Sequence, residues 1–232
     1  MNKPLDLENI VKGGATEVLD TAVQIKPIRT WLLNRADRQL TESFIEQNRD
    51  HMPLRVQRMR KRALMNLLYS VERGVERGNI GAGVRKRVLS SFVANVLTGE
   101  KERMRPFREQ HGFDPPTFIT ISPTKRCNLQ CTGCYAGSTA ADASTLDYDV
   151  FTRILNEKRE EWGSHFTVIS GGEPLMYNSK GKNLLDVVEE HDDNYFMMYT
   201  NATLITDKVA KRMAELGNIT PAISVEGWEK ET

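Results

Sequence analysis

Past Pro115 and Pro116, four short runs rich in β-branched and aromatic residues alternate with helical stretches, and this alternation limits the possible folds sharply. The runs are TFITIS (117–122), HFTVIS (165–170), YFMMYT (195–200) and TPAISV (220–225). Between them, residues 149–162, 183–190 and 206–216 carry helical periodicity, with Gly217 as a stop. Strands separated by helices predict an α/β architecture with a parallel sheet and right-handed crossovers. Loops at the carboxyl ends of such strands build the site. Four segments fall at that end: CNLQCTGCY (127–135), GGEP (171–174), TNAT (200–203) and SVEG (224–227).

Ahead of the proline pair the chain reads as helical, which divides it into a helical region, 1–115, and a strand–helix region, 116–232. A helix is expected over 31–48, with Trp31, Leu32, Leu40, Phe44 and Ile45 on its apolar side. Over 54–73 the apolar face is Val56, Met59, Ala63, Leu67, Leu68 and Val71, with Arg55, Arg58, Lys61 and Arg62 between them. A further amphipathic stretch sets Val84, Val88, Phe92 and Val96 four apart, and Gly99 closes it.

Charge follows the same division. Residues 1–115 hold 21 Lys and Arg against 14 Asp and Glu, whereas 116–232 hold 11 against 17. Basic amphipathic helices most simply cover a neighbouring domain; the other use of the pattern is peripheral contact with an anionic membrane. Aromatic residues do not interleave with the basic run, so no nucleic-acid partner is expected. No apolar run approaches the roughly 20 residues of a membrane span. The N-terminal residues lack the apolar core of an export signal. Cys127, Cys131 and Cys134, an odd and closely packed set, do not form a disulfide framework, so a reduced, cytoplasmic chain is expected, peripheral to a membrane if the basic helices bind one.

Three thiols within eight positions are one short of a structural zinc site, which usually takes two separated pairs. A fourth ligand would have to be a distant residue such as His165 or His191, and neither has a paired spacing. An iron–sulfur cube held by three thiolates keeps one iron open to a ligand that is not protein. A zinc-stabilised interaction module and a cluster-bearing electron carrier or sensor remain alternatives at this point.

C-x3-C-x2-C after a first strand, followed by GGEP at the end of a second, resembles the radical S-adenosylmethionine (SAM) enzymes. The resemblance spans residues 117–227 and implies a partial (βα) barrel, of which four of about six units are present, preceded by the α-helical region. It implies a 4Fe–4S cluster on Cys127, Cys131 and Cys134, with SAM chelating the open iron. Reductive cleavage of SAM to a 5′-deoxyadenosyl radical, which abstracts hydrogen from a substrate, would follow. Gly171, Gly172, Glu173 and Pro174 match the family's turn toward SAM, where the glycines permit close backbone approach and Glu173 or nearby carbonyls accept from the SAM ammonium. Thr200 and Asn201 match its third strand end, with Ala202 where glycine is usual. Ser224 and Glu226 stand where polar residues reach the SAM ribose. Gly133 replaces the aromatic residue usual before the third cysteine, and Tyr135 follows that cysteine instead. A flavodoxin or ferredoxin would be the reductant, and the substrate is unassigned. With four units the chain is expected to be a piece of a longer protein that binds SAM poorly by itself.

Overall fold

The computed structural model describes residues 24–48, 51–87, 103–225 and 227. These fall into two compact units, one within 15–82 and the other within 83–232. The division lies ahead of the Pro115–Pro116 boundary drawn from sequence, so the described residues between 83 and 115 share a unit with the sheet.

The smaller unit is a helical pair. Helix α1, Lys26–Leu40, starts with a proline in its first turn and runs on as a π-helix, Thr41–Gln47, which ends at Asn48 in the left-handed conformation. Helix α2, Leu54–Glu76, follows Pro53. Much of the pairing is polar. Lys61 meets Asp37 at 3.0 Å, Arg29 meets Glu72 at 3.5 Å and Lys26 meets Glu76 at 2.8 Å. Gln57, fully buried, donates to Asn48 Oδ1 at 2.7 Å. The structure corrects the apolar face expected on α2: Val56 and Leu68 are half-buried and Met59, Ala63, Leu67 and Val71 exposed, and the side that is buried carries Gln57 and Met65 instead, with Leu64 half-buried. The reason is that polar pairs through Lys61, Glu72 and Gln57 set which side of α2 meets its neighbour.

Helix α3, Ala82–Arg87, opens the stretch expected to continue to Gly99; residues 88–102 lie outside the described residues. Helix α4, Arg105–His111, ends at Gly112 in the left-handed conformation. The sheet follows, with strands β1 (Phe118–Ile121), β2 (Phe166–Ile169), β5 (Tyr195–Thr200) and β6 (Ile219–Ile223) side by side in chain order. All three pairings are parallel, with Phe118 opposite Phe166, Phe166 opposite Tyr195, and Phe196 opposite Ile219. The connecting helices are α5 (Tyr148–Trp162), α6 (Leu184–Glu190) and α7 (Asp207–Leu216), matching the expected spans closely. Their starts are written in the sequence: Asp147 caps α5, Asn183 and Asp186 form a capping box on α6, and Thr206 caps α7.

One element was not expected. Strands β3 (Asn178–Ser179) and β4 (Lys182–Asn183) form a small hairpin between β2 and α6. Its two turn residues, Lys180 and Gly181, both have positive φ, as the tight primed hairpin turns require.

The core gathers where these helices meet the sheet. Phe151, Leu155, Ile169, Leu184, Val187, Val188, Phe196 and Met198 are all 2% exposed or less. Tyr177 packs edge-on against Phe151 with centroids 5.7 Å apart. At the amino ends of the strands the packing turns polar. Lys158, buried on α5, donates to Ser164 O at 2.7 Å and to Asn194 Oδ1 at 2.8 Å. Burial pushes its ammonium down to about 7, against the opposing pull of Asp193. The Asn218 amide bridges the carbonyls of Val188, His191 and Asn194 at 3.0–3.1 Å. His165 and His191 are also held below the usual imidazole range by burial. Among the described residues no helix is long and apolar enough to cross a membrane.

Candidate functional site

Beyond β1 the chain does not leave the sheet at once. Residues 122–126 continue alongside the GGEP turn: Ser170 N–H donates to Ile121 O at 2.9 Å, Gly172 N–H to Thr124 O at 2.9 Å, and Glu173 N–H to Arg126 O at 2.8 Å. Two glycines make this contact possible. A Cβ on Gly172 would stand 2.1 Å from Arg126 O, and one on Gly171, whose φ is +110°, would stand 2.7 Å from Thr124 O. The close approach that the glycines permit is therefore made, in this structure, to the chain's own backbone.

On its other side the same segment is gripped by residues 139–146. Lys125 N–H donates to Ser144 O, Cys127 N–H to Thr139 O and Leu146 N–H to Pro123 O, at 2.8–3.1 Å. Thr124, almost fully buried, pairs its hydroxyl with Thr145 Oγ1 at 3.2 Å and accepts from Arg126 N–H. The cysteine loop is thus an excursion closed at its neck.

All three cysteines in that loop are free thiols, Cys127 half-buried and Cys131 and Cys134 exposed. Cys134 N–H donates to Cys131 O at 3.2 Å, which makes a turn through Gly133, with Gly137 N–H donating back to Cys134 O. Backbone N–H groups of Ser138 and then Ala136 hold the Cys134 thiol below its ordinary range, partly offset by burial. Cys127 Sγ accepts from Leu129 N–H at 3.5 Å and from the Asn201 amide at 3.9 Å. Tyr135 projects into solvent, but its hydroxyl reaches Ser170 Oγ at 2.5 Å, tying the loop to the residue just ahead of GGEP.

Glu173 is the hub of the site. It is 1% exposed, and both carboxylate oxygens are in use. Oε1 accepts from Thr200 Oγ1 at 2.8 Å and Leu175 N–H at 3.2 Å; Oε2 accepts from Asn201 N–H at 2.9 Å, with the Thr200 hydroxyl at 3.0 Å. Pro174, buried, opens the 3₁₀ turn Pro174–Met176 that Glu173 caps. The end of β5 is thereby latched to the turn after β2. Asn201 extends the latch to the first loop, donating to Asn128 Oδ1 at 3.0 Å, while Asn128 donates to Thr203 Oγ1 at 2.7 Å. Ala202 sits in the left-handed region at φ +62°, which accounts for glycine being favoured there.

Most of the expected residues therefore meet. Cys127, Gly171, Gly172, Glu173, Thr200 and Asn201 form one hydrogen-bonded assembly. Ser224 joins only through its backbone, N–H to Thr200 O at 2.9 Å, and its side chain is exposed. Glu226 lies outside the described residues. Asn128, Thr124 and Ser170 were missed. Asn128 could have been found, since a polar amide directly after the first cysteine has no packing reason to be there.

Among the described residues no three His, Cys, Asp or Glu side chains stand close enough to hold a single metal ion. A cluster offers a separate iron to each thiolate and does not need the sulfurs to converge on one point. Three soft donors on one loop, each of two sulfurs supported by N–H groups, fit such a group.

Comparison with known proteins agrees with this chemistry. Residues 121–232 match the model of the Radical SAM superfamily. Among curated relatives, a tungsten-containing aldehyde ferredoxin oxidoreductase cofactor-modifying protein of Pyrococcus furiosus is 31% identical over 103 residues, covering 43% of this chain and 28% of that protein. The mycofactocin maturase MftC of Mycobacterium ulcerans is 30% identical over 122 residues, covering 53% of this chain and 32% of the relative. A solved structure, Streptococcus suis SuiB bound to S-adenosylmethionine, aligns with 25% identity and a TM-score of 0.44, covering 55% of this chain and 29% of that one. The chain thus spans about a third or less of the length of these proteins.

Proposed function

We propose that this chain carries the cluster-binding and SAM-binding core of a radical SAM enzyme, with its sheet the first part of a partial barrel. One observation carries the reading: the segment that leads into the loop of three free thiols is bonded to the GGEP turn, and Glu173 latches that turn to Thr200 and Asn201. Cys127, Cys131 and Cys134 would hold a 4Fe–4S cluster. When bound, that cluster would supply one electron to the sulfonium of SAM.

The protein's own residues set up that chemistry. Gly171 and Gly172 keep the turn pressed against residues 124–126. The Glu173 carboxylate is spent inside the protein, so backbone carbonyls near the turn are the better acceptors for the SAM ammonium, and Glu173 acts as a positioning residue. Ser224 and Glu226 are assigned to the SAM ribose, since hydroxyl and carboxylate groups suit a diol. The reductant is a small cytoplasmic electron carrier of the flavodoxin or ferredoxin kind, and the substrate stays open.

The test is anaerobic reconstitution of the protein expressed from its complete reading frame, followed by dithionite and SAM. Release of 5′-deoxyadenosine and methionine is expected, and its absence from cluster-loaded protein would sink the proposal. A cluster whose spectrum ignores SAM would mark an electron carrier instead. Zinc without iron in anaerobically purified protein would mark an interaction module.

A further inference from the structure

Helix α2 presents more apolar surface than α1 covers. Met59, Leu67 and Val71 are 63%, 50% and 42% exposed, and with Ala63 they recur every four residues along one side of the helix. Leu54 and Tyr69 on the same helix are 47% and 42% exposed. An exposed stripe of this length is uncommon on a soluble protein without a partner surface.

Charge beside the stripe is mostly basic. Arg55, Arg58 and Arg62 are exposed, and none has an acid partner among the described residues. The nearby acids are already spent: Asp37 on Lys61, Glu72 on Arg29 and Glu76 on Lys26. Described residues of this unit hold eleven Lys and Arg against five Asp and Glu. A cleft of about 610 Å³, lined in part by Arg55, Arg58, Met59, Arg62 and Tyr69, runs where basic and apolar side chains adjoin.

We infer that this side of α2 is a docking surface for an anionic lipid bilayer. Arg55, Arg58 and Arg62 meet the charge of the headgroups, and Met59, Leu67 and Val71 enter the boundary between headgroups and acyl chains. Arginine suits the role because its stem lies along apolar surface while its guanidinium reaches phosphate. The 23-residue helix is about 34 Å long and its stripe is open to solvent over three turns, which favours a broad surface over an inserted peptide. Only Tyr69 among these residues offers a ring for stacking, which disfavours single-stranded nucleic acid.

This inference does not depend on the cluster chemistry, and its readout is separate. The full chain is floated with vesicles of phosphatidylcholine alone or mixed with phosphatidylglycerol. Flotation with the mixed vesicles only, weakening with added salt, is expected. Arg55→Glu/Arg58→Glu/Arg62→Glu should reduce partitioning by about a hundredfold, at roughly fivefold for each arginine lost. Met59→Ser/Leu67→Ser should reduce it by about tenfold or more with the charge unchanged. Circular dichroism of both variants checks that the helices remain. No flotation of the parent chain overturns the inference, and so does flotation that ignores both folded variants. Tight binding to a soluble acidic polypeptide, with no binding to vesicles, also overturns it.

Discussion

At the amino ends of the strands, Lys158, Asn194 and Asn218 are buried and their polar atoms are matched to carbonyls and to one another. At the carboxyl ends of the same strands, Cys131, Cys134 and Tyr135 stand exposed above a buried hub, Glu173. Both ends spend polar side chains on internal bonds, and among the described residues the carboxyl end also holds exposed thiols above them. The lower end is a seal whose cost is a desolvated ammonium; the upper end is a mount, whose latch fixes the backbone while the loop above it stays accessible.

The comparison breaks most readily at Gly172. Gly172→Ala forces a methyl group against Arg126 O, so the turn and the neck of the cysteine loop must part. A loss of about 3 kcal/mol in stability is expected by analogy with overpacked cores, measured by urea denaturation. Iron retained after anaerobic reconstitution should fall at least tenfold. Unchanged iron content would mean that the mount does not depend on this contact.

The seal is probed by pH. The folded-state pKa of Lys158 is lowered to about 7, whereas the unfolded chain keeps the ordinary value, so the unfolded state binds more protons between these limits. Stability therefore rises with pH, by about 2 kcal/mol between pH 7 and 9. Hydrogen-exchange protection of β2 and β5 amides reads the effect, and Lys158→Met should flatten it. A folded Lys158→Met protein with the same slope would assign the slope elsewhere.

Glu173→Gln sharpens the contrast at the other end. The amide sets an N–H group among the donors of Thr200, Asn201 and Leu175, at a cost of about 2 kcal/mol. Chemical shifts of Asn201 and Asn128 should move together, because the latch runs through both; a change confined to residue 173 would deny the connection. The smallest effect is at Ala202→Gly, where relief of the left-handed backbone should add about 1 kcal/mol to the melting stability. A destabilised variant would show that the methyl group packs usefully.

Much of the fold is legible in the sequence, because the four strands and three helices of the sheet unit carry local signals: their period, and the stop at Gly217. The cysteine spacing and GGEP were legible for the same reason. What escaped was non-local. Nothing near Glu173 says that its partner is Thr200, 27 residues on, or that Gly172 yields to Arg126 rather than to a ligand. Periodicity marked an apolar side on α2 but not which side would meet α1, because the buried side is chosen by the ion pairs of Lys61 and Glu72 with residues far off in the chain. The β3–β4 hairpin is too short for any period to register.

The neck of the cysteine loop has a last consequence. Because Cys127 and Thr139 are bonded to each other, the sheet receives the same two ends whatever lies between them. Within such a segment the residues other than the cysteines can change without disturbing the sheet, with Asn128 and Tyr135 as the mooring points a graft would have to keep beside them. Sequence change above the neck then leaves the scaffold beneath constant.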